Sequence, residues 1–241
     1  MEQRFKYLSS TPFTRANLKN AGDVLSKREY SDRLSWGFVD IHNTGGLVSG
    51  TFVERFETEE EITHPFGHVT VYKRIRFNQI RFRLGTITPQ LEILDAPRSV
   101  APLLTELASC FDSPVAFSPV RLDIKAFISK LKRRAASLAL LSASFEDITL
   151  GSDVFARVSV MGSGEIEPYL KTAALGGEPI FERVCLSGTF NAETFKVEIC
   201  SDARIQILVG RGASFAKLLR SLVVESLQIN PFGSAAAYPT S

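Results

Sequence analysis

A chain of 241 residues, 44% hydrophobic and 22% charged, is long enough to bury a sizeable core in one or two domains, and this composition excludes a disordered or collagen-like protein. Its 28 basic and 26 acidic residues leave a formal charge of +2, so any polyanion-binding surface has to be a local patch. Three scattered cysteines, Cys110, Cys185 and Cys200, exclude a disulfide framework and suit reduced, buried thiols in a cytoplasmic protein.

The opening MEQRFKYLSS has no apolar h-region, so no signal peptide is expected; it reads as a strand with Phe5 and Tyr7 alternating. Thr11-Pro12 supplies an N-cap and then proline at the first helical position, predicting a helix over residues 12–27 with Leu18, Ala21 and Leu25 inward. Residues 36–41 and 47–56 are predicted strands joined by the turn Asn43-Thr44-Gly45-Gly46. An acidic run follows, Glu57-Thr58-Glu59-Glu60-Glu61, and then the turn-forming His64-Pro65-Phe66-Gly67-His68. From Tyr72 to Leu84, YKRIRFNQIRFRL, the apolar parity changes: Ile75 and Phe77 share one, Ile80 and Phe82 the other. A two-residue turn at Asn78-Gln79 would resolve that conflict, setting Phe77 opposite Ile80 and Ile75 opposite Phe82 on a dry face. The other face would carry Arg76 against Arg81 and Arg74 against Arg83. If residues 85–88 form the next loop, Gln90 falls beside Arg83 and Glu92 beside Arg81. Residues 90–94 add a strand, and a helix starts near Ser99. The longest apolar run, around residues 138–141, is too short for a bilayer, so no membrane partner is expected.

The second half resembles the first. LEILDAPRSVAPLLTEL from Leu91 matches IQILVGRGASFAKLLRSL from Ile205 after one insertion. Upstream, Tyr72-Lys73-Arg74-Ile75 sits opposite Phe181-Glu182-Arg183-Val184, and the five residues from Ile80 sit opposite the five from Phe195. The expected architecture is therefore α+β: two similar units of antiparallel sheet with helices packed on one face, related by a pseudo-twofold internal duplication. The first unit would span residues 1–113 and the second 114–230, with a mobile tail over 231–241.

Two basic features are candidates for binding an anionic polymer. The first is the arginine face, Arg74, Arg76, Arg81 and Arg83 for phosphates, with Tyr72 placed to stack on a base. The second is a helix capped by Asp123, with Ile124, Phe127, Ile128, Leu131, Ala135 and Leu138 on its buried stripe and Lys130, Lys132, Arg133 and Arg134 off it. A weaker anion cradle is the strand-to-helix turn Gly210, Arg211, Gly212 and Ser214, which lacks a third glycine and a P-loop lysine. Only His42, His64 and His68 are present, without metal spacing, and no nucleophile motif occurs, so neither a metal nor a cofactor is expected.

The leading expectation is a non-enzymatic protein that binds DNA or RNA through the arginine hairpin and the basic helix. The alternative is an interaction or assembly subunit, homo-oligomeric or part of a larger complex, whose basic face docks an acidic protein surface. An enzymatic reading would need His42 or His68 as base beside the Gly210–Ser214 turn.

Overall fold

The computed structural model of the protein describes residues 3–10, 15–44, 46–111, 115–149, 155–172, 180–209 and 213–227. The chain divides into two compact units, one built from the segment up to Pro119 with Arg204–Leu208, the other from Val120–Ala203 and the chain from Val209 onward. The class is α+β: among the described residues every named strand pairing is antiparallel.

In the first unit the elements are β1 (Gln3–Ser10), α1 (Arg15–Lys27), β2 (Trp36–Asn43), β3 (Leu47–Thr63), β4 (Val69–Gly85), β5 (Leu91–Leu94), α2 (Ala101–Ala108) and β6 (Phe117–Pro119). The strands run β2-β3-β4-β5-β1. The other edge of β1 takes β6 at Leu8–Ser10 and, at Gln3–Lys6, the late strand β11 (Arg204–Val209). Leu18, Ala21 and Leu25 recur at helical spacing on α1 and are fully buried, as their pattern predicts. With Leu103 and Leu107 of α2 they close over Phe38, Phe52, Ile80, Phe82, Leu84, Leu91 and Ile93. Phe38 sits at the centre, 5.5 Å from the Phe52 ring and 5.9 Å from Phe82.

The second unit holds α3 (Ile124–Arg134), β7 (Ser137–Thr149), β8 (Phe155–Met161), α4 (Glu167–Thr172), β9 (Ile180–Phe190), β10 (Glu193–Cys200) and α5 (Ala213–Ser226). Its strand order is β10-β9-β7-β8. Asp123 caps α3 by accepting the Ala126 N–H at 2.9 Å, and Ile124, Phe127 and Leu131 are its buried residues. The helix ends at Arg134, so Ala135 is its C-cap and Leu138 belongs to β7.

Two expectations need correction. The chain does not reverse at Asn78-Gln79: β4 runs straight through, in unbroken register with β3 from Leu47↔Gly85 to Thr63↔Val69. The reversal falls at residues 64–68, where Gly67 adopts φ +86°, a value the Asn78-Gln79 pair would have to reach without glycine. The change of parity is nevertheless real. Ile80, Phe82 and Leu84 point into the core, whereas Ile75 and Phe77 point to the opposite face of the same strand.

The duplication is not matched strand for strand. The strand after α1, β2, ends its unit's order, whereas the strand after α3, β7, lies between β9 and β8. The segments aligned with the single strand β4 are two strands, β9 and β10. They are joined at Asn191 and Ala192, both with positive φ (50° and 64°), which is the turn geometry that β4 lacks.

Candidate functional site

β2 leaves β3 after Glu54, and β5 meets β4 only from Arg81 to Leu84. Between those limits, from Arg55↔Phe77 to Thr63↔Val69, β3 and β4 pair with no other strand among the described residues, and at the root the Arg55 N–H donates to the Ser35 carbonyl at 2.7 Å. They form a two-stranded arm about 27 Å long at roughly 3.4 Å per residue. At its root Tyr30 meets Phe77 edge-on at 6.2 Å. Tyr30 reaches that place because its segment crosses Gly37, where a Cβ would stand 2.4 Å from the Tyr30 Cα, and its N–H donates to the Phe38 carbonyl at 3.0 Å. At the tip, the His64 N–H donates to the His68 carbonyl at 2.7 Å, and Phe66 is 84% exposed.

Alternation gives the arm two unlike faces. One carries Val69, Val71, Lys73, Ile75 and Phe77 of β4 beside Arg55, Glu57, Glu59 and Glu61 of β3. The other carries Tyr72, Arg74 and Arg76 beside Phe56, Glu60 and Ile62. Arg55 meets Glu57 at 2.8 Å and Lys73 meets Glu59 at 3.8 Å. One oxygen of Glu60 receives both Arg74 (3.5 Å) and Arg76 (3.4 Å). The four basic residues of the arm are thus balanced by Glu57, Glu59, Glu60 and Glu61.

The remaining arginines of the face are also matched. Arg83 lies opposite Glu92 in register and donates to it at 3.3 Å; that buried carboxylate also accepts the Tyr7 hydroxyl at 3.4 Å. Arg81 lies opposite Leu94 and is paired with Asp95. The expected pairings, Gln90 with Arg83 and Glu92 with Arg81, are therefore displaced by two residues, because the loop spans 86–90 and the Gly85 N–H donates to the Gln90 carbonyl at 2.7 Å. The arginines do not form two facing pairs across a turn; they line one strand, Arg74 and Arg76 on one face, Arg81 and Arg83 on the other.

The two edges of the arm differ. The register is unbroken, and the His68 carbonyl points toward β3 while the Gly85 N–H points toward β5. Even-numbered residues of β4 therefore bond to β3, and the odd ones, Val69 to Phe77, direct N–H and C=O away from the arm. On β3 the outward positions past Arg55 are Glu57, Glu59 and Glu61, a row of charge that blunts strand pairing. On β4 the only charge among the outward positions is Lys73.

In the second unit the basic helix is likewise engaged. Lys130 donates to the Glu225 carbonyl, Arg134 pairs with the Glu225 carboxylate at 3.4 Å, and Lys132 pairs with Glu167 at 3.5 Å. Arg133 is exposed and makes no ion pair among the described residues. Lys132 and Glu167 stand at the rim of a cavity of about 370 Å³ whose walls include Ile128, Leu140, Phe145 and Phe181. Gly210, Arg211 and Gly212 lie outside the described residues; Ser214 is exposed on the first turn of α5. His42 pairs with Ser49 near one end of β3, and His68 closes the turn at the other, roughly 50 Å along the strand. They cannot share a site. Burial raises the thiols of Cys110 and Cys185 above their ordinary value, against the pull of Arg28 and Lys196 respectively.

The outward apolar row on β4 and the pairing of Arg81 with Asp95 were missed from sequence, whereas Glu92 does answer an arginine as expected, though Arg83 and not Arg81. The signal available was the odd-numbered apolar series Val69, Val71, Ile75 and Phe77, interrupted only by Lys73. Fold and site together define an α+β protein with a projecting β-arm and a balanced charge ladder. No protein-family model matches the chain, and no curated protein matches it significantly.

Proposed function

We propose that this protein is a non-enzymatic interaction subunit that accepts an extended strand from a protein partner along the β4 edge of its arm. The observation that carries this reading is the asymmetry of the two edges: glutamates guard β3, whereas β4 offers Val69, Val71, Ile75 and Phe77 with outward backbone groups. Each of those four side chains is about half exposed, on a strand rich in β-formers. The polyanion reading has less support, because Arg74, Arg76, Arg81 and Arg83 each face a carboxylate and the arm's formal charges cancel.

The test replaces residues 57–75 by Asn-Gly, closing the hairpin at the Phe56↔Arg76 pair and leaving the core of the unit intact. The reading expects a partner held by the full chain and not by the shortened one. With purified components that partner protects the amides of Val69, Val71, Lys73, Ile75 and Phe77 from hydrogen exchange. If shortening the arm changes no association of the chain, with itself or with another protein, the reading fails. It fails equally if labelled DNA or RNA is retained at low salt and Arg74→Glu with Arg76→Glu abolishes that retention.

A further inference from the structure

Resting on that reading, we infer that the strand taken up by β4 is β4 of a second copy, so that two arms join edge to edge into a four-stranded antiparallel sheet. A twofold contact must be self-complementary, and the sequence VTVYKRIRF from Val69 to Phe77 has that property about Lys73. An antiparallel register centred there sets Val71 opposite the second copy's Ile75 and Val69 opposite its Phe77, all on one face. On the other face Tyr72 meets Arg74, a ring beneath a guanidinium, and Thr70 meets Arg76. No two arginines stand directly opposite one another. Lys73 meets its own symmetry mate, and each ammonium has Glu59 at 3.8 Å to offset the repulsion.

Backbone geometry agrees with this register. The odd residues point outward in both copies, so Val69, Val71, Lys73, Ile75 and Phe77 exchange about ten hydrogen bonds across the axis. The free stretch is also the right length. It is bounded by the turn at His68 and by β5 at Arg81, so a second arm centred on Lys73 puts its own His68 opposite Asn78, just short of β5. Pairing through β3 would instead bring Glu57, Glu59 and Glu61 against the same residues of the other copy, which like charges oppose.

Sedimentation equilibrium of the full chain tests this at micromolar concentration, with proline placed at outward N–H groups so that no β3–β4 hydrogen bond is lost. The wild-type chain is expected to be a dimer of 26.6 kDa protomers. Val71→Pro should weaken the dimer by at least about tenfold, whereas Glu59→Pro on the other edge should not. An unchanged Trp36 emission confirms that each variant is folded. Nitroxide labels at Lys73→Cys should lie within about 20 Å of each other, and labels at Phe66→Cys on the two tips roughly 50 Å apart. A monomeric wild type, a dimer indifferent to Val71→Pro, or tips close together would each overturn the inference. Should the monomer still hold a different protein through the arm, only the identity of the partner falls and the proposed function stands; if it holds none, both fall.

Discussion

Phe77 and Phe82 lie five residues apart on β4, and their truncation to alanine separates a through-running strand from a hairpin turned at residues 78 and 79. Phe82 is 1% exposed against Phe38, whereas Phe77 is 51% exposed and touches Tyr30. A fully buried Phe removes about 150 Å² or more from water, which at roughly 25 cal/mol per Å² is about 4 kcal/mol. Loss of the ring also leaves a cavity that the aromatic cluster cannot fill, so Phe82→Ala should cost about 3–5 kcal/mol. Phe77→Ala forfeits roughly half that transfer term and opens no cavity, so about 2 kcal/mol is expected. Urea unfolding followed by Trp36 emission reads this unit directly, since the single tryptophan sits 6.3 Å from both Phe38 and Phe52. In a hairpin with Phe77 opposite Ile80 and Ile75 opposite Phe82, the two phenylalanines would share one dry face and cost alike. A difference below about 1 kcal/mol would refute the through-running strand.

Arg83→Ala should destabilise by about 2 kcal/mol by stranding the buried Glu92 carboxylate, whereas Arg74→Ala, at an exposed pair, should change stability by under about 0.5 kcal/mol; equal effects in denaturant titration would contradict the assigned burial. Tyr30→Phe removes a buried hydroxyl that has no hydrogen-bond partner among the described residues, so its melting temperature should hold or rise, and a fall of several degrees would mean the hydroxyl is bonded. Asp123→Ala should cost about 1 kcal/mol through loss of the α3 cap, seen as a lower urea midpoint at constant slope. The raised Cys110 and Cys185 thiols should react with a disulfide reagent at pH 8 only after unfolding. Their contribution to stability is complete below the unfolded thiol value, near pH 8.5, and declines as pH rises toward the folded one, because the unfolded chain releases those protons first.

The elements whose side chains answer to a single buried face were legible. The Leu18, Ala21 and Leu25 triad, the Asp123 cap with Phe127 and Leu131, and the alternation of Phe5 and Tyr7 all fell where their spacing placed them. The arm was not legible, because reading a parity change as a turn assumes that a strand keeps one dry side throughout. Here β4 has its apolar side inward from Ile80 to Leu84 and outward from Val69 to Phe77. Glu57 to Glu61 gives no strand signal of its own, because glutamate is a poor strand former. Cross-strand partners decide otherwise: Lys73 answers Glu59, and Arg74 and Arg76 answer Glu60, none of which a local window contains.

Those cross-strand pairs also bear on why the arm stands away from the core. Val69, Val71, Ile75 and Phe77, which share one face of the arm, are each at least half exposed, and such an uncovered apolar row is unusual on a protein that works alone. Folding the arm onto its own unit through that face would cover the row but would also desolvate the ion pairs that share the face, Arg55 with Glu57 and Lys73 with Glu59. A partner added along the β4 edge satisfies the outward N–H and C=O groups and widens the apolar row while leaving every one of those ion pairs in water. The ladder is therefore best understood as what keeps the arm extended, and the free edge as what that extension presents.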